Sequence, residues 1–98
     1  MRVFRYLLLI VDKQEIDLPL SAQILHVAPG RGPSYALDLW AQVPEEAPMM
    51  PTVFRIFGTG HPMDHHTQLE YIGTAVMPDE LVWHVYVEHD VMKKRGPR

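Results

Sequence analysis

The side chains best suited to chemistry crowd into one stretch, FGTGHPMDHH at residues 57–66. His61, Asp64, His65 and His66 offer imidazole and carboxylate donors, a set that suits zinc or another divalent ion. Adjacent histidines in extended chain point to opposite sides, however, so His65 and His66 cannot readily share an ion. No HExxH motif is present, and a further ligand such as His84 or His89 would have to arrive through folding. The same stretch holds Gly58-Thr59-Gly60, whose backbone N–H groups could face an anion. Pro62 removes one donor and no Gly-Lys-Ser/Thr follows, so a nucleotide-binding loop is not encoded. The simplest reading is a strand-exit turn from Gly58 to Pro62, with positive φ at Gly58 or Gly60, followed by a solvated histidine-rich loop. A ligand site would lie beside that turn and use His61.

His84 is a second point of interest. It stands between Trp83 and Val85 in an apolar run, on the side shared with Val82 and Tyr86. A histidine there is either satisfied by a neighbouring backbone group or serves as a polar point in a pocket, able to act as a general base or ligand donor. No nucleophile stands out. Ser21 and Ser34 are the only serines, and neither sits in a Gly-x-Ser-x-Gly elbow. Glu45-Glu46 and Asp79-Glu80 lie beside prolines and read as solvated turns. The ligand-binding candidates are therefore Gly58, Thr59, Gly60, His61, Trp83 and His84, with no catalytic residue, metal set or cofactor assigned.

Strands must position these residues. Leu37, Leu39, Ala41 and Val43 fall on one side with Asp38 and Gln42 between them, and Leu81, Trp83, Val85 and Val87 alternate with His84 and Glu88. No apolar repeat at helical spacing persists for three turns, and nine prolines cut the chain, mostly between the candidate strands. The pattern predicts an all-β fold of six or seven strands, at residues 3–11, 15–18, 23–28, 35–43, 52–58, 69–76 and 81–88. Apolar residues on both faces of the last strand call for a compact antiparallel sandwich or barrel-like domain. They also call for a second subunit, most simply a homodimer. VFRIFGTG and QLEYIGTA form a weak internal echo, read as two strands that leave the sheet by similar turns.

Ninety-eight residues make one domain, expected over 1–92, with a basic, disordered tail at 93–98. The body holds five basic and twelve acidic side chains, a net −7, against +4 in the tail. An acidic body disfavours salt-driven nucleic-acid binding. The absence of cysteine excludes disulfide scaffolds and thiol chemistry. The apolar run Leu7–Val11 is far shorter than the roughly 20 residues of a bilayer-spanning helix, and no cleavage-site pattern follows it. A cytoplasmic protein is expected, with no membrane partner.

IDLPLSAQILHV, LDLWAQV, FRIFGTGHP, LEYIGT and LVWHVY occur in that order. Through these segments, and over roughly residues 4–87 in all, the chain resembles a family of small phage-encoded proteins of unknown function. The resemblance implies a bacteriophage origin, expression in the cytoplasm of a bacterial host and no assigned activity. It places Gly58, Thr59, Gly60, His61 and Pro62 in the family's most recognisable turn and Trp83-His84 in its closing strand. The match departs at Leu7-Leu8-Leu9 and does not include the DHH at 64–66.

Three functions follow as expectations. The favoured one is a non-enzymatic accessory protein that binds a host protein or a small ligand, for host takeover or defence evasion. The alternative is a metal-assisted hydrolase built on His61, Asp64 and His84. The third is a single-stranded nucleic-acid binder that stacks bases on Trp40, Phe54, Phe57, Tyr71 or Tyr86.

Overall fold

The computed structural model describes residues 1–32, 35–63 and 68–89. Seven strands and no helix lie among the described residues: β1 (Arg2–Leu9), β2 (Lys13–Pro19), β3 (Gln23–Pro29), β4 (Ala36–Val43), β5 (Met49–Gly58), β6 (Gln68–Val76) and β7 (Val82–His89). They form two antiparallel sheets, one in the order β1-β4-β3 and one in the order β2-β5-β7-β6. The fold is the all-β sandwich that the alternation predicts. The expected tail at 93–98 and the Asp64–His66 segment lie outside the described residues.

The core lies between the sheets. Leu8, Leu37, Leu39, Ala41 and Val43 face it from the first sheet, and Leu18, Phe54, Ile56, Ala75, Val85 and Val87 from the second. β4, central in its sheet, is buried along its core face and, on its outward face, at Ala36 and Asp38, while Trp40 and Gln42 are half-buried. On its outward face Asp38 is 1% exposed, held by Arg5 Nη1 at 3.0 Å and Arg31 Nε at 3.2 Å. Two guanidinium partners give this carboxylate the charge-assisted bonds that burial demands.

β5 starts three residues before the expected boundary, and Pro51 lies inside it. Pro51 pairs with Asp17 on β2, whereas the β7 ladder reaches β5 only from Val53 onward. On that side no strand needs its missing N–H. β7 sits centrally in its sheet, between β5 and β6. Its inward side supplies Val85 and Val87. On the outward side Tyr86 packs edge-on against Phe57 at 5.7 Å and Tyr71 at 5.6 Å. At Tyr86 the two-faced apolar character of this strand is thus used within one chain.

β5 and β6 both run antiparallel to β7, hence parallel to each other. Chain leaving β5 at Gly58, opposite Trp83, must return to the far end of β7 before β6 begins opposite His89. The FGTGHP segment opens that return.

Candidate functional site

Gly58 to His61 is a tight turn in which the His61 N–H donates to the Gly58 carbonyl at 3.0 Å. Gly60, its third residue, has φ +89°, while Thr59 is not among the residues with positive φ. That combination is the type II pattern, which favours glycine at this position. The positive φ expected of one of the two glycines belongs to Gly60.

Gly58 has a different role. A Cβ there would lie 2.7 Å from His61 Cε1 and 2.8 Å from Nδ1, so the missing side chain is the space the imidazole occupies. The Gly58 N–H donates to His61 Nδ1 at 3.2 Å. In the neutral ring this places the proton on Nε2, leaving a donor available for other groups. The His61 ring lies edge-on to Trp83, with centroids 6.3 Å apart. Gly58, Thr59, His61 and Trp83 line a cleft of ≈ 360 Å³, together with Glu80 and Leu81 from the β6–β7 turn and Val82 at the start of β7. Replacing Gly58 with alanine should eject the His61 ring, with a loss of about 1 kcal/mol from the broken hydrogen bond. The Trp83 indole resonance should shift. An unchanged indole signal would show that the ring is not seated there.

His84 lies behind the cleft on the outer face of the sheet. Its Nε2 is 2.8 Å from Thr59 Oγ1 and its Nδ1 is 3.1 Å from Thr74 Oγ1. Thr74 Oγ1 is in turn 2.6 Å from the Tyr71 hydroxyl. Strand order creates this clamp: Phe57 on β5 and Thr74 on β6 both lie opposite His84. Neither ring nitrogen is left to a backbone carbonyl.

The internal echo acquires a meaning here. The two Gly-Thr pairs are not equivalent turns, since β6 runs on through Gly73-Thr74 to Val76. They place one threonine hydroxyl on each side of the same imidazole. Gly73, like Gly58, makes room: a Cβ on it would fall 2.5 Å from Val27 Cγ2 on the facing sheet. Sequence reasoning missed Thr74, and the echo was the signal that could have found it.

Of the candidates, Gly58, Thr59, His61 and Trp83 line one cleft, Gly60 shapes its turn, and His84 adjoins it through Thr59. Among the described residues no three His, Asp or Glu side chains are grouped to hold a metal. Asp64 lies outside those residues. Two residues proposed for base stacking are unsuited to it, because Phe54 is 0% and Phe57 8% exposed. No helix of the described residues is long and apolar enough to cross a membrane.

No curated protein and no solved structure matches the chain. A family model described as a domain of unknown function (DUF7352) matches residues 1–95, and the chain belongs to that family.

Proposed function

We propose that this protein acts by binding, and that its ligand enters the cleft beside the Gly58–His61 turn. The observation that carries this reading is the imidazole of His84 held between two threonine hydroxyls, next to a cleft walled by Trp83. A general base is commonly oriented and charged by a carboxylate and faces a nucleophile. His84 instead faces two neutral hydroxyls, which suits a fixed support that orients Thr59 at the cleft.

The lining indicates the ligand class. Trp83 and the edge of His61 favour a planar ring, Leu81 and Val82 add apolar contact, and Thr59 and His61 Nε2–H supply hydrogen bonds. The charged residue of the lining is Glu80, which disfavours anions, so the ligand is neutral or cationic. A cleft of ≈ 360 Å³ suits a small molecule or one projecting ring of a host protein. The resemblance to phage-encoded proteins supports an infected bacterial cytoplasm as the setting, with host takeover or defence evasion as the purpose.

Amide NMR titration with a neutral nucleoside, its monophosphate and an aromatic amine tests this reading. The nucleoside and the amine should shift Thr59, Gly60, His61 and Trp83, and the monophosphate should bind more weakly than the nucleoside. Thr59→Val and His61→Ala should each reduce affinity roughly tenfold, the value of one or two hydrogen bonds. Shifts confined to other surfaces, or a preference for the phosphate, would reject the site.

A further inference from the structure

The two sheets have four edge strands, and three carry features that discourage pairing with another chain. β3 has a bulge between Ile24 and His26 and ends in Pro29. β6 is irregular between Tyr71 and Gly73. β2 carries Lys13, Glu15 and Asp17 along one face and ends in Pro19. Bulges, prolines and charges are the devices that keep sheet edges from joining.

β1 has none of the backbone devices. Its sequence RVFRYLLL contains no proline or glycine, and its register with β4 is unbroken from Arg2 to Leu9. Its two charges are engaged elsewhere, Arg2 with Glu45 at 3.1 Å and Arg5 with Asp38 at 3.0 Å. Val3, Phe4, Leu7 and Leu9 are 55%, 46%, 46% and 41% exposed, so the strand shows apolar side chains on both faces.

The direction of the backbone groups can be read from its end. The Ile10 N–H donates to the Tyr35 carbonyl, so even-numbered residues face β4. Leu9 faces the other way: its N–H donates to Gln14 Oε1 at 3.0 Å, and its carbonyl accepts from Gln14 Nε2 at 2.7 Å. By alternation Val3, Arg5 and Leu7 also direct N–H and C=O outward. The Gln14 amide satisfies Leu9 and ends the edge there, leaving a short ladder centred on Arg5.

We propose that a second copy of this chain pairs with β1, antiparallel, about a two-fold axis through Arg5. In this register Val3 faces Leu7 of the second copy and Leu7 its Val3, while Arg5 faces Arg5. Every outward N–H and C=O of these residues is then used. Phe4 falls beside Tyr6 of the other copy on the core-facing side, adding an aromatic pair at a closely spaced position. Each Arg5 keeps Asp38 as counter-charge. This symmetry favours self-pairing over a foreign strand, because one apolar set completes itself. The result is a six-stranded sheet across two protomers.

Sedimentation of the full chain should give the mass of two chains. Leu7→Pro removes an outward N–H without touching the β4 ladder, and by symmetry it deletes two intermolecular bonds. It should weaken the dimer roughly 10- to 100-fold while the thermal midpoint of the monomer stays near wild type. Leu7→Lys should act alike through charge, and it covers the case in which the proline variant fails to fold. The protein has no cysteine. Val3→Cys with Leu7→Cys should therefore oxidise to a covalent dimer, since directly opposed residues lie about 5.5 Å apart. Along one strand these positions are roughly 13 Å apart and cannot bridge within a chain. A single-chain mass for wild type overturns the proposal, and so does a dimer that survives both Leu7 variants.

Discussion

Replacing Phe54 with alanine should lower the unfolding free energy by about 3–5 kcal/mol, the range for removing a buried aromatic ring. Phe54 is 0% exposed on the inner face of β5, opposite Gln14 on one side and Val87 on the other. Its ring belongs to the core cluster between the sheets. A small domain has about 5–15 kcal/mol in total, so this single change takes a large share. The urea midpoint should fall with little change in slope, because the surface exposed on unfolding is nearly the same. Phe54→Leu, which keeps more of the volume, should cost less. A loss below about 1 kcal/mol for the alanine variant would place the ring outside the core.

The second large effect concerns Gly73 and the sheet it faces. Gly73→Ala should cost about 1–3 kcal/mol through overpacking, because the new methyl would fall 2.5 Å from Val27 Cγ2. Val27 is 3% exposed and stiff at its branched carbon, so it cannot swing away. Shortening Val27 to alanine removes the obstructing methyl, and its Cβ would then lie 3.6 Å from the added carbon, an ordinary contact. The pair of substitutions takes two methyl groups from β3 and adds one on β6, at the place one of them occupied. It should therefore be more stable than the sum of the single losses predicts, by about 0.5–3 kcal/mol in a double-mutant cycle. Additive losses would show that the sheets do not meet there. Gly73→Ala should also loosen the 3.1 Å Thr74–His84 contact, visible in the His84 ring resonances.

The strands were legible because alternation is a local property. Leu37, Leu39, Ala41 and Val43 announce β4 without knowledge of its partners. The start of β5 was not legible, since Pro51 reads as a break unless β7 is known to stop short of it. Strand order lay equally out of reach, because it depends on pairings far apart in sequence. The turn was readable from Gly60, whose positive φ follows from residue type. The role of Gly58 was not, because the space it leaves for His61 exists only once the turn has closed. His84 could be singled out as a polar residue in an apolar strand. Its partners could not, since Thr59 and Thr74 become neighbours only through the order β5-β7-β6.

The row from Thr59 through His84 and Thr74 to Tyr71 can run its hydrogen bonds in two directions. With the proton on Nε2, His84 donates to Thr59, whose own hydrogen then points outward to meet an acceptor. With the proton on Nδ1, Thr59 donates to the ring and presents a bare lone pair to a donor. The whole row reverses together, as a line of switches thrown at once, and the ring is neutral in both arrangements. One atom can thus greet a carbonyl or an amino group with equal readiness. Selectivity at this cleft would then fall to the shape of the ring that enters it, and ligands that exchange an oxo for an amino substituent should compete on similar terms.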